Sequence, residues 1–92
     1  MLFKIEISEE AENQIFEAYF YYSEISESLG KSFNTELINT IDYLREKPGY
    51  FQSRYNGVRI VLTKKFPYSV HYVIKNETVF VLKILHQKQF YK

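Results

Sequence analysis

The sequence predicts an α+β domain made of an N-terminal strand, an antiparallel helix hairpin and a three-strand antiparallel meander. Three observations carry this. Apolar residues alternate over the first few positions. Two runs of helical period follow, separated by a short polar break. After Gly49 the period falls to two and stays there. The 92 residues fit one domain spanning 1–92.

Phe3, Ile5 and Ile7 alternate with Lys4 and Glu6, the mark of a half-buried strand. Ser8 follows as a helix N-cap, with Glu9, Glu10 and Glu12 in the first turn, where the helix dipole favours acids. Ala11, Ile15, Ala18, Tyr22 and Ile25 then recur at helical spacing, with Tyr19 widening the stripe. The first helix should run from about Glu9 to about Ser26. The stretch Ser26-Glu27-Ser28-Leu29-Gly30 reads as a break or tight turn. A second stripe follows through Phe33, Leu37, Ile41 and Leu44, with Ile38 alongside, and Lys47-Pro48-Gly49 ends it. So short a link predicts a helix hairpin.

Beyond Gly49, Val58, Ile60 and Leu62 alternate with Arg59, Val61 and Thr63. Tyr68, Val70, Tyr72 and Ile74 alternate with Ser69, His71 and Val73. Lys75-Asn76-Glu77 is a turn, and Thr78 to Leu85 is a dense β-branched and apolar run. Consecutive strands of this kind pair most simply as an antiparallel meander under the two helices. If the helices cover the more apolar side, Val58, Ile60 and Leu62 face them. Arg59 then shares the opposite face with His71. A face carrying both would suit an anion or a peptide, and would equally suit solvent.

Composition narrows the function. With no Cys, disulfide and thiolate chemistry are excluded and a reducing cytosol is the natural setting. No run reaches the length of a membrane span, and the N-terminus lacks the pattern of a signal peptide, so a cytoplasmic protein is expected. The net charge of +1 hides a sharp division. Residues 1–44 hold two basic and nine acidic side chains, a balance of −7; residues 45–92 hold ten basic and two acidic, a balance of +8. A cationic half predicts an anionic partner, unless the two halves neutralise each other within the fold. Nine Tyr and eight Phe give a small core large contact area and leave aromatics for an interface.

No metal or cofactor is expected. Two His and no Cys make a poor ligand set, and no glycine-rich phosphate loop is present. Metal-free RNA cleavage requires a base for the 2′-hydroxyl and cations for the charged phosphorane. His86, Lys83, Lys88, Arg59 and Tyr91 are the residues that would supply them. The plainer reading of His86 is a strand-end hydrogen bond. On the first helix, Phe16, Phe20 and Tyr21 lie off the main stripe. They mark a dimer or partner contact, or else are buried by the second helix.

Several segments, in order over the whole chain, resemble the RelE/ParE toxin superfamily. They are Ile5-Glu6-Ile7-Ser8, Ile15 through Tyr22, Leu29-Gly30 with Phe33 and Leu37, Leu44 through Pro48, Arg59, Phe66 through Tyr72, and Ile84-Leu85-His86. Phe66-Pro67-Tyr68 and the ending Leu85-His86 look most like the ParE branch, described as plasmid-stabilisation proteins. The resemblance implies a growth-inhibiting toxin of a type II toxin–antitoxin system. It also implies a cognate antitoxin whose C-terminal segment wraps it, with Phe16, Phe20, Tyr21, Arg59 and His71 as contact candidates. In the ParE branch the target is DNA gyrase. In the RelE branch the protein is a ribosome-dependent mRNA endoribonuclease. RelE-type nucleases tend to carry an Arg where this chain has Ser69, and more Lys and Arg around Arg59. That favours the ParE branch, with the nuclease as alternative and a non-toxic binding module of the same fold as a second one. A homodimer is compatible with each.

Overall fold

A computed structural model describes residues 2–87. Strand β1 (Lys4–Ile7) leads into helices α1 (Glu9–Ile25) and α2 (Glu27–Glu46), and a single 3-10 turn (Pro48–Tyr50) follows. Strands β2 (Ser53–Tyr55), β3 (Val58–Leu62), β4 (Tyr68–Lys75) and β5 (Thr78–His86) complete the chain. They form one five-stranded sheet in the order β1-β5-β4-β3-β2. The expected meander is present as β3-β4-β5, antiparallel throughout. β1 adds to its far side, parallel to β5.

The expected break at 26–30 shrinks to one residue. Ser26 closes α1 by donating its N–H to Tyr22 O, and its Oγ accepts Leu29 N–H (3.0 Å) as the N-cap of α2. Gly30 lies inside α2 rather than at a break. Here α2 approaches α1 tightly at Ser23. A Cβ at this position would meet Ser23 Oγ at 2.1 Å, Ser23 Cβ at 3.0 Å and Ser23 Cα at 3.1 Å. Gly30→Ala gains about 1 kcal/mol of helix propensity. The added Cβ must turn Ser23 Oγ aside and push the Ser23 Cβ and Cα back slightly, at a cost of about 1–3 kcal/mol. The expected net result is a lower thermal midpoint. Ser23 Oγ is buried without a hydrogen-bond partner among the described residues, so Ser23→Ala alone should leave stability unchanged or raise it. Thermal unfolding of the two single variants and the double variant checks both signs; a Gly30→Ala variant more stable than the parent would refute the close-approach argument.

The core lies between the helix pair and one sheet face. Phe33, Leu37, Ile41 and Leu44 of α2 and Ala11 and Ala18 of α1 meet Val61, Val70, Tyr72, Val79, Val81 and Ile84. Rings of Tyr22, Phe33, Phe66 and Tyr68 join edge-on where both helices cross the β3–β4 turn. Ile38, beside the expected stripe, is half exposed.

The register corrects the assignment of faces. Arg59 pairs with Tyr72 and Val61 with Val70, so Arg59, Val61 and Thr63 stand on the helix side. Val58 and Ile60 point the other way, yet both are buried. The alternation in β3 was ambiguous because both its faces are covered in the middle. Helices cover one, and Tyr55, carried round by the β2–β3 hairpin, covers part of the other.

Candidate functional site

A groove of about 1030 Å³ opens between α2 and the outer side of β3. Tyr43, Phe51, Ile60, Val61 and Leu62 supply its apolar parts. Lys31, Arg54, Lys64 and Lys65 stand around it. The one carboxylate in the lining, Glu36, is engaged elsewhere. Its Oε2 accepts the backbone N–H groups of Lys65 (2.8 Å) and Phe66 (3.1 Å), anchoring the β3–β4 turn to α2. Glu36 keeps its charge, and the four cations outnumber this one carboxylate in the lining. The sheet also ends there: β2 pairs with β3 only at Arg59 and Val58. Thr63 N–H donates to Tyr68 O on β4, so Leu62, on the alternate position and beyond the last pair with β2, turns its backbone groups outward. Leu62 itself is 45% exposed.

The charge halves do not neutralise each other through ion pairs. Among the described residues the single salt bridge is Arg45–Asp42, an exposed pair one helical turn apart. Such a pair contributes little. Apart from that pair, and from Glu36 and Arg59, which bond to backbone groups, the described first-half carboxylates and second-half cations stand outside any ion pair among the described residues.

The sequence-derived candidates land in different places. Phe16, Phe20 and Tyr21 are exposed on the outer side of α1, where α2 does not cover them. Phe16 and Phe20 stack with ring centroids 5.7 Å apart. Arg59 is on the helix side, where its guanidinium donates to Phe51 O (2.5 Å) and Gly49 O (3.4 Å) and ties down the segment after α2. His71 is on the opposite face, only 1% exposed, so the expected Arg59–His71 surface does not exist. The ribonuclease set is not gathered either. Lys83 pairs with His71 on the face away from the helices, whereas His86 pairs with Tyr68 on the helix side, where their rings meet edge-on at 5.3 Å. Lys88 and Tyr91 lie outside the described residues.

Comparison with known proteins agrees with this architecture. A family model described as the ParE toxin of the type II toxin–antitoxin system parDE matches residues 5–91. The chain belongs to the ParE toxin family. A solved chain from the chromosomal ParDE toxin–antitoxin system of P. aeruginosa superposes with a TM-score of 0.80, covering 92% of this chain and 96% of that one at 17% identity. At that identity the likeness speaks for the fold. No curated protein sequence matches. Among the described residues, no helix is long and apolar enough to cross a membrane.

In this member of the ParE family the sheet face away from the helices holds a polar chain that is buried at Ser69 and His71 and reaches the surface at Tyr55. Tyr55 hydroxyl and His71 Nδ1 are 2.9 Å apart, and His71 Nε2 and Ser69 Oγ are 2.9 Å apart. Ser69 Oγ also donates to Leu85 O (3.3 Å). It therefore accepts from Nε2–H, and Nδ1 accepts from Tyr55. A neutral imidazole satisfies every group, and burial, with Lys83 adding a smaller push, holds the His71 pKa below its ordinary 6.5. The unfolded chain thus takes up the proton first as pH falls. The stability from keeping His71 neutral is complete above about pH 6.5 and is lost as pH drops below it. We expect the urea midpoint to fall between about pH 7.5 and about pH 5.5. In His71→Gln that fall should be smaller. Equal pH slopes in parent and variant would remove His71 as the cause.

Sequence reasoning missed β2, Tyr55, Arg54 and Glu36. A signal for the first three was present: Asn56-Gly57 occupies left-handed conformations (φ 47° and 77°) that a tight hairpin demands. Glu36 carried none, since its partners are backbone amides 29 and 30 residues away.

Proposed function

We propose that the chain is the toxin of a type II toxin–antitoxin pair, inhibits DNA gyrase, and is silenced by an antitoxin segment seated in the α2/β3 groove. The observation that carries the antitoxin part is the groove itself, with four cations lacking a carboxylate partner there, apolar walls and an open strand edge. An acidic amphipathic segment meets all three. Its carboxylates find the lysines, its apolar side fills the groove, and an extended stretch adds to β3. Membership of the ParE family supports gyrase as the target. The separation of Arg59, Lys83 and His86 gives the nuclease alternative no assembled site among the described residues.

The test is a supercoiling assay with purified gyrase and the purified chain. Inhibition that rises with the toxin-to-gyrase ratio is expected, while message in growth-arrested cells stays uncut. Normal supercoiling at a large excess of toxin would reject the gyrase assignment. Message cuts abolished by His86→Ala would replace it with the nuclease.

A further inference from the structure

The outer side of α1 is chemically the opposite of the α2/β3 groove. Glu12, Phe16, Phe20 and Glu24 are spaced four apart and all exposed, so they form one ladder with two stacked rings in the middle and a carboxylate at each end. Glu9 and Glu17 flank it. The helix contains no Lys or Arg, and none of these carboxylates forms a salt bridge among the described residues. An exposed aromatic ladder of this kind marks a contact surface. Its occupant has to be cationic. A second α1 ladder is thereby disfavoured, because isologous pairing would set carboxylates against carboxylates.

One cationic surface with apolar walls is already present on the same molecule. We infer that, without antitoxin, the α1 ladder of one copy docks in the α2/β3 groove of a second copy, so the toxin associates head to tail and occupies its own antitoxin seat. One ladder carboxylate then meets Lys31 and Lys64 at the β3–β4-turn end of the groove, the other reaches toward Arg54 at the far end, and Phe16 and Phe20 enter between them beside Tyr43 and Leu62. The contact is heterologous. Each copy keeps one free ladder and one free groove, and association is open-ended unless the geometry closes a ring. The contact is small and electrostatic, so it is weak and salt-sensitive. The inference rests on the groove preferring an acidic amphipathic segment, as proposed above.

Analytical ultracentrifugation of the full chain at low salt tests it, using two variants altered only at exposed positions. Phe16→Ser/Phe20→Ser removes the ladder and keeps the groove. Lys31→Glu/Lys64→Glu reverses the groove and keeps the ladder. The parent should show an average mass that climbs with concentration and returns to monomer at about 1 M salt, where the screening length is about 3 Å. Each variant alone should associate at least tenfold more weakly. The groove-intact and ladder-intact variants mixed together should pair one to one and stop there. A parent that is monomeric at low salt would overturn the inference, as would a mixture that fails to pair or a groove-reversed variant that still self-associates. A model acidic helix of Leu and Glu, titrated into Phe16→Ser/Phe20→Ser, separates the two readings. If it binds while the copies do not associate, the groove's preference stands and self-docking falls.

Discussion

Phe33→Ala should remove a large share of the folding stability of the chain. Phe33 is 1% exposed, and its ring touches those of Tyr22, Phe66 and Tyr68. It is the point where α2, α1 and the β3–β4 turn share one cluster. Truncating a buried Phe costs about 3–5 kcal/mol, partly for lost transfer and partly for the cavity left behind. A domain of 92 residues has roughly 5–14 kcal/mol in total. The thermal midpoint should fall by about 12 °C or more. Ile38→Ala is the matched control: same helix, half exposed, outside the cluster. Its expected effect is within about 0.5 kcal/mol. Circular dichroism melts of the two variants decide the matter; similar midpoints would mean that the aromatic cluster does not hold the helices to the sheet.

The second large effect is on binding rather than folding. Lys31→Glu/Lys64→Glu places two carboxylates at a groove that otherwise presents four cations. Both residues are exposed, and Lys31 lies near the start of α2, where an acid suits the helix dipole. Stability should therefore hold. Affinity for an acidic amphipathic helix should drop at least tenfold, about 1.4 kcal/mol, mostly through slower association. The salt dependence of what remains should flatten. Titration calorimetry at two salt concentrations measures both quantities. Unchanged affinity would move the antitoxin seat away from this groove.

Much of the fold was legible because it is written in local periodicity. The stripe Phe33, Leu37, Ile41 and Leu44 is the buried face of α2, and the alternation Tyr68, Val70, Tyr72 stands on the helix side of β4. Non-local facts were not legible. That β1 lies beside β5 depends on two segments more than seventy residues apart. Which way Arg59 points depends on a register that two apolar faces leave open. The charge division was visible in the sequence, and its meaning needed coordinates. Only they show Glu36 engaged with backbone amides and Arg59 with carbonyls, neither of them with opposite charges. The groove itself is a product of α2 and β3 meeting, and no single stretch of chain announces it.

The parallel pairing of β1 with β5 bears on how the protein is made. β5 is synthesised after the other four strands, yet it sits between β1 and β4. During translation the helix hairpin can form early, but its apolar stripe has no complete sheet to cover until the final strand leaves the ribosome. Contacts between segments so far apart in sequence also slow folding. A newly made toxin therefore passes through an interval in which greasy helix surface is uncovered, as happens with aggregation-prone intermediates. An acidic amphipathic antitoxin already present in the cell would meet its target in that interval, and act as a folding partner before it acts as an inhibitor.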